Sequence, residues 1–482
     1  MNILVVFDDT NKKSEAIRDV IGDKGFSDVI VKKHHLEEYY QRNVLSLYPD
    51  CKWKLVNSSY EFQDLLEKLP DDENLKILHC FAHYIFTDRE KALQSFAKLK
   101  FTEMAYQGLI NDNPAFLIFG REKEYRAFLK AVCTGISSYV AARSIANTFP
   151  VEGMTDIGQF ENFIQCITGS FDSRYFNSVN GNAYTLKKTS TDKKKIKAEY
   201  TFYRLLPDDM KRWFVMPYQY EESDKTASYM MERLHITDLA IKWVHGSIDN
   251  NEFSQILDDY FRFFNGRHPK KVSKEEYQRI SENLYTFKVK NRIEQLKQTE
   301  VYPRIESLLE VNCQDTIDNI VKRYFALKEK IESSIRFQMV SVIGHGDPCF
   351  SNTLYSKTTQ FLKFIDPKGA LVEAELWTNP YYDIAKLSHS ICGLYDFFNN
   401  GLFEIHIDED LHCRLIIDFD NKKYVKIFQK KVEENGYNYL AVRLYEASLF
   451  LSMLPLHIDN PFKVFGFILN ACKILKEIEH EI

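Results

Sequence analysis

Short, dense apolar runs mark the first quarter of the chain, and amphipathic helical spacing marks its second half. Residues 3–7 (ILVVF), 76–81 and 115–119 are rich in Val, Ile, Leu and Phe but too short for helices. Runs of that kind predict buried strands, and a further strand is expected at 29–32. Residues 12–21, 60–69 and 123–132 instead place apolar side chains three and four apart, which predicts helices between and after the strands. Such alternation over 1–135 predicts an open α/β, Rossmann-like layer domain.

The periodicity then lapses. Residues 136–160, with Gly135, Pro150 and Gly153 in or beside them, read as a linker. Residues 174–190 (RYFNSVNGNAYTLKKTS) predict a β-hairpin turning at Asn180-Gly181-Asn182. A helix is expected at 193–206, with Ile196, Tyr200, Tyr203 and Leu206 on one face and Pro207 closing it. Strands are expected at 213–218 and 228–234. Helical spacing then takes over at 251–264, 274–309, 315–336, 383–394, 439–453 and 461–481. A small β-rich segment, 161–235, thus precedes a large helical one, 236–482.

Composition narrows the class. The 482 residues can build two or three domains with a substantial core. A net charge of −5, with acids and bases interspersed, predicts no nucleic-acid partner. The nine cysteines are scattered without Cys-x-x-Cys spacing, which suits reduced thiols rather than a disulfide framework or zinc site. Residues 3–7 are too short for a secretory leader and acids follow at once. No window approaches the roughly twenty apolar residues that span a bilayer, and 447–455, which comes nearest, reads as a buried helix end. A cytoplasmic protein without an integral membrane segment is expected.

Chemistry concentrates at 344–352 (GHGDPCFSN), entered from an apolar strand at 339–343 and followed by a hairpin turning at 357–360. The hairpin returns to Asp366-Pro367-Lys368-Gly369. A His-Gly-Asp alone is common, and Asp-Pro-Lys-Gly alone reads as a turn; their order and context carry the signal. Asp347, Asn352 five residues on, and Asp366 after a strand supply what phosphoryl transfer needs, a base and two metal ligands. Asp347 would accept the proton of a substrate hydroxyl, while Asn352 and Asp366 would hold Mg²⁺ against the phosphates of ATP. His345 reads as a buried orienting residue and Cys349 as a packed thiol.

His345-Gly346-Asp347-x4-Asn352, Asp366-Pro367-Lys368-Gly369 and the later run 380–390 (PYYDIAKLSHS) resemble the aminoglycoside phosphotransferase and choline kinase superfamily. They are more similar still to a branch found among bacterial capsule and lipopolysaccharide biosynthesis proteins. That branch often reads Asp-Pro-Arg-Gly, so Lys368 keeps the charge and loses the guanidinium fork. The resemblance spans roughly the last two-thirds of the chain and leaves the α/β N-terminal domain uncovered. It implies an α+β protein-kinase-like bilobal domain, with a small β-rich lobe and a large helical lobe. It also implies a Lys–Glu pair in the small lobe. Alternation puts only one of Lys187 and Lys188 on the nucleotide side, and the branch's apolar-x-Lys-x-Ser pattern, matched by Leu186 to Ser190, selects Lys188. Glu199, the one acid within 193–206, is its expected partner; the alternative is a surface glutamate balancing nearby lysines. Gly181 alone marks the nucleotide-covering hairpin. Met231, Glu232 and Arg233 would offer their main chain to adenine, with Met230 or Met231 against the ring. Asp383 is assigned a supporting role beneath the catalytic loop.

The activity so implied is transfer of the ATP γ-phosphate to a hydroxyl of a small metabolite. A sugar or polyol destined for surface polysaccharide is the expected acceptor, with enzymes of that pathway as partners. Tyr381, Tyr382, His389, Tyr395, Glu373 and Glu375 would line the acceptor pocket, although a chain that is 14% aromatic makes nearby tyrosines weak markers. A choline- or ethanolamine-type kinase, a protein kinase (disfavoured by the lack of an Ala-Pro-Glu segment) and a silent nucleotide-binding scaffold remain alternatives. ATP and GTP are not distinguished.

At the carboxyl edge of the first strand stand Asp8 and Asp9, where open α/β sheets bind ligands. They fit a phosphatase only loosely, since Asp8-Asp9-Thr10 replaces the expected Asp-x-Asp. A nucleotidyltransferase would want a Gly-rich, basic entry loop that is missing. The third reading is a non-catalytic partner domain with a surface acidic turn.

Overall fold

The computed structural model describes residues 2–170, 177–181, 184–313, 315–409 and 412–482. The chain forms two compact units, Met1–Phe171 with His245–Ser247, and Asp172–Val244 with Ile248–Ile482.

The first unit is an α/β layer. Its six-stranded sheet runs in the order Lys52–Val56, Ile3–Asp8, Lys76–Phe81, Asn113–Phe119, Tyr106–Ile110, Thr148–Pro150. Ile3–Asp8 lies parallel to both its neighbours and is buried along its whole length, which is why its sequence is continuously apolar rather than alternating. Lys52–Val56 (KWKLV) sits at the edge, and its lysines disguise it in the sequence. The helix Glu122–Cys133 buries Tyr125, Phe128, Leu129 and Val132 at helical spacing.

Residues 136–160, expected as a linker, are part of this unit. Thr148–Pro150 joins the large sheet, and Met154–Asp156 pairs antiparallel with Tyr84–Phe86. Gly153 marks a close approach rather than a flexible joint. Its carbonyl accepts from Thr87 N and Asp88 N at 2.9 and 3.0 Å, its φ is +78°, and a Cβ there would lie 2.4 Å from Asp88 O.

The second unit opens on a four-stranded antiparallel sheet, ordered Asn177–Gly181, Thr185–Ser190, Ala227–Glu232, Pro217–Glu222. The helix Lys193–Leu205, N-capped by Asp192, packs Ile196 against Ala227, Tyr229 and Met231. The strand expected at 213–218 is displaced to Pro217–Glu222. Trp213 and Val215 instead bond to Phe364, through Phe364 N to Trp213 O at 2.7 Å and Val215 N to Phe364 O at 3.1 Å. Those apolar residues serve tertiary contact, not the sheet.

The remainder is helical. The pattern at 274–309 divides into Lys274–Glu282, a π-helical turn at Asn283–Phe287, Lys288–Lys297 and the start of Tyr302–Cys313. Tyr439–Met453 is buried almost all round, as a central helix must be, and contacts Pro380–Ile391 and Pro461–Glu481. Set among these helices are a three-stranded sheet (Pro269–Lys271, Val340–Ile343, Trp377–Thr378) and the hairpin Thr353–Ser356 with Phe361–Phe364. Among the described residues no helix is long and apolar enough to cross a membrane.

Candidate functional site

The strand Val340–Ile343 ends where the loop 344–352 begins, and a buried ion pair fixes that loop. Asp383 accepts from His345 N at 3.0 Å and Gly346 N at 2.9 Å, while Arg267 Nη1 donates to it at 3.1 Å. Arg267 also donates to Phe264 O and Pro380 O, both at 3.0 Å, so this fully buried guanidinium is shared among three acceptors. Asp383 therefore holds the loop's backbone.

His345 links the loop to the strand that carries Asp366. Its Nδ1 accepts from Asp347 N at 3.0 Å, so Nε2 carries the proton and donates to Ile365 O at 3.0 Å. Burial pushes its pKa down and keeps the ring neutral. The ring stacks on Phe214 at 5.7 Å and 9°. Asn352 makes a second link, donating from Nδ2 to Asp347 O at 2.9 Å and accepting from Ile365 N at 3.0 Å. Gly346 has φ +85°, and a Cβ there would fall 2.5 Å from Lys368 Cβ, so the turn requires glycine.

The Asp347 side chain, 36% exposed, lies 3.0 Å from Lys386 Nζ. Burial favours its neutral form, but the Lys386 charge and hydrogen bond prevail and hold the carboxyl below its ordinary range. Lys386 lies one turn beyond Asp383 on the helix Pro380–Ile391, so a single helix sets both the loop and the charge beside Asp347.

Lys188 is buried, with Nζ 2.8 Å from Glu199 Oε2 and 2.8 Å from Asp366 Oδ1. Burial penalises its ammonium, yet Asp366 and Glu199 outweigh that and raise its pKa. Tyr229 OH donates to Glu199 Oε2 at 3.0 Å. Lys187, on the opposite face, bonds Glu221 at 2.6 Å in solvent. Gly369, at φ +89°, lets the chain after Asp366 approach the helix that carries Glu199. A Cβ there would lie 2.8 Å from Ala198 C, and Ala370 N donates to Ala198 O at 3.0 Å. Asp366 itself is held at φ +55°.

Lys188, Glu199 and Asp366 are thus in contact, and His345, Asp347, Asn352 and Asp383 form one hydrogen-bonded loop. The adenine-side residues are placed differently. The Met231 side chain belongs to the core under the sheet, and Arg233 N donates to Tyr184 O at 2.9 Å, which commits that amide to the protein. Gly181 ends its strand opposite Leu186; residues 182–183 of the hairpin lie outside the described residues. A cavity of ≈ 20 Å³ behind the Lys188–Glu199 pair has room for about one water and none for a base.

The expected acceptor lining is mostly core. Tyr381, Tyr382, His389 and Tyr395 are buried, Tyr382 OH accepts from Lys288 Nζ at 2.9 Å, and His389 is packed between Tyr395 and Phe450. Glu375 accepts from Leu371 N at 2.7 Å. Helix geometry explains this: Tyr381 to Tyr395 follow Pro380 into the interior rather than facing a cleft. Arg267 was not legible, being 116 residues from Asp383. Lys386 was not singled out either, although its i+3 spacing from Asp383 in the predicted helix is the signal that could have found it.

In the first unit neither carboxylate is a surface group, contrary to the acidic-turn expectation. Asp8 is fully buried and accepts from His79 Nε2 (3.0 Å), Thr10 N (2.9 Å), Thr10 Oγ1 (2.7 Å) and Ser138 Oγ. Two donors on each oxygen leave no lone pair for attack on phosphorus. Asp9 accepts from Phe26 N, Ser27 N and Ser27 Oγ at 2.9, 2.8 and 2.6 Å. Both anchor loops.

No protein-family model matches the chain, and no curated protein does. Among solved structures it is similar to a thermostable mutant of aminoglycoside phosphotransferase APH(4)-Ia in ternary complex with AMP-PNP and hygromycin B, at 11% identity, covering 63% of this chain and 91% of that one with a TM-score of 0.38. A ternary complex of such a mutant with ADP and hygromycin B gives 11%, 65%, 97% and 0.37. The enzyme APH(4)-Ia itself gives 10%, 66%, 99% and 0.34. These structural neighbours are phosphotransferases, and the likeness is distant.

Proposed function

We propose that this chain is an ATP-dependent phosphotransferase with a kinase-like bilobal second unit, acting on a hydroxyl of a small metabolite. The observation that carries the reading is Lys188 Nζ held between Glu199 and Asp366, with Asp366 tied through Ile365 to the loop of Asp347. A buried lysine bridging two carboxylates from separate elements is an arrangement for meeting phosphate.

The acceptor oxygen attacks the γ-phosphorus in line, the bond to the β–γ bridging oxygen breaks, and ADP departs. Asp347 takes the hydroxyl proton; its lowered pKa keeps it ionised for that role at neutral pH. Lys188, released from Asp366, neutralises the α- and β-phosphates. Asn352 Oδ1 and the Asp366 carboxylate are hard oxygen donors from two adjoining elements, the set that suits Mg²⁺ when phosphates and waters complete its six ligands. Bound there, Mg²⁺ supplies charge neutralisation of the triphosphate. The acceptor as a sugar or polyol of a surface-polysaccharide pathway rests on the motif resemblance alone.

Thermal-shift titration with ATP and GTP, with and without Mg²⁺, tests the reading on the native chain and on Asp366→Ala. Metal-dependent stabilisation by ATP, lost in the variant, is expected. No stabilisation by either nucleotide would overturn it.

A further inference from the structure

A groove of ≈ 540 Å³ is lined in part by Lys368, which follows Asp366-Pro367. That is the size of a small-molecule site. Its floor is the three-stranded sheet: Lys270 pairs with Ser341, and Trp377 with Ile343, the last strand residue before Gly344 and the loop. One wall is the helix Lys274–Glu282, which contributes Arg279 and Glu276. Lys368 ties the groove to the loop of Asp347, its amide donating to His345 O at 2.9 Å and its stem against Gly346.

The lining chemistry is uneven. Lys270, Arg279 and Lys368 face it, with Glu276 and Glu373. Among the described residues none of the three cations makes an ion pair; Lys270 lies 5.5 Å over the half-buried Trp377 ring. The lining thus holds one more cation than carboxylate, an excess that an entering anion offsets. Arg279 offers the planar fork that grips a carboxylate or phosphate by two bonds. The Trp377 ring gives a flat apolar platform of the kind that supports a sugar ring.

Resting on the phosphotransferase reading above, we infer that this groove binds the acceptor and that the acceptor is an anionic sugar, bearing a carboxylate or a phosphate besides the hydroxyl that reacts. The anionic group meets Lys270 and Arg279, the ring lies on Trp377, and the hydroxyl projects past Lys368 toward Asp347. A cationic acceptor is disfavoured here by the same three side chains.

The test is isothermal titration of the full chain, with and without MgADP, using glucuronate, glucose 6-phosphate, glucose and glucosamine as probes. The native chain is expected to bind one of the two anionic sugars at least about tenfold more tightly than glucose, and the exposed double variant Lys270→Glu/Arg279→Glu to lose that preference. The carboxylate and phosphate arms tell which anion fits. Equal binding of all four sugars, preference for glucosamine, or an anion preference unchanged in the variant overturns the inference. Thermal shift with MgATP on the same two proteins separates the two readings. Stabilisation by MgATP without anion preference sinks the groove alone, while anion preference without MgATP binding sinks the phosphotransferase reading and leaves an anion site.

Discussion

In the proposed mechanism, Lys386 decides how Asp347 behaves as the base. Its ammonium, 3.0 Å from Asp347, lowers the carboxyl's pKa against the effect of burial. Asp347 therefore stays ionised into more acid solution than an ordinary aspartate does, and the acid limb of a kcat/KM profile should lie below the usual carboxylate range. Removing the charge with Lys386→Met raises the Asp347 pKa and moves that limb to higher pH, with MgATP stabilisation retained. A limb that stays in place shows that Lys386 does not set the base. Asp347→Ala should lower turnover by about a hundredfold or more, the scale of general-base contributions, again with MgATP stabilisation retained; full activity in that variant removes Asp347 from the mechanism. The short motif around Asp347, Asn352 and Asp366 was readable because its residues are close in sequence and their spacing is set by one loop and one hairpin. Choosing Lys188 over Lys187 takes strand alternation together with the residue pattern of the family the chain resembles, and the two lysines do face opposite ways. The adenine-side residues were less readable, because main-chain contacts depend on which amides the sheet already uses, as at Arg233.

Elements carry these residues into place, and two of their joints can be tested separately. Asp383 and Arg267 are both fully buried, so Asp383→Ala leaves an unpaired charge and should cost about 3–5 kcal/mol in urea unfolding. Replacing both, Asp383→Leu with Arg267→Met, should recover much of that stability but no turnover, because His345 N and Gly346 N still lack their acceptor. Recovery of activity along with stability would mean the loop does not depend on Asp383. The second joint is Gly369 against Ala198. Gly369→Ala combines a left-handed φ, worth about 1–2 kcal/mol, with a Cβ 2.8 Å from backbone. It should push the Glu199 helix away from Asp366 and weaken MgATP stabilisation; unchanged stabilisation removes that coupling. The last two long helices were legible to the residue, whereas the pattern at 274–309 hid its division into shorter pieces. Tyr439–Met453 and Pro461–Glu481 have caps at Asn438 and Asn460, and the latter has Pro at its start. The stretch 213–218 misled because Phe214 is apolar for the sake of His345 and Phe364, contacts that no local period reveals. Gly153 and Pro150 misled in the same way, since punctuation residues mark docking as well as flexibility.

At the scale of the whole chain, chemistry-bearing residues divide unequally between the two units. The second unit gathers Asp347 and Asp366, both partly exposed, near a buried lysine, whereas the first fills the oxygens of Asp8 and Asp9 with donors. Asp8 shows the difference. Burial acts to raise its pKa, but the His79 hydrogen bond and charge, with Ser138 and Thr10, hold it below the ordinary value. A carboxyl lowered by folding contributes stability that is full above its unfolded pKa and is lost as pH falls through the folded one. Asp8→Asn should therefore cost about 1.5–3 kcal/mol at neutral pH, the worth of hydrogen bonds to a charged group. It should also flatten the fall in stability as pH drops below the unfolded value of about 3.9, relative to the native chain. Denaturant unfolding at several pH values reads both. An Asp8 whose donors are not engaged in solution predicts something else: the native group would show no lowered pKa, and the Asn variant would keep its stability. The sheet edge drew attention in the sequence because Asp8 and Asp9 follow the first strand, but His79, Ser138 and Ser27 arrive from elsewhere in the chain to fill their oxygens. An acid's position on a strand is legible in sequence, whereas its free lone pairs are a property of the folded unit, and it is the lone pairs that separate an anchor from a nucleophile.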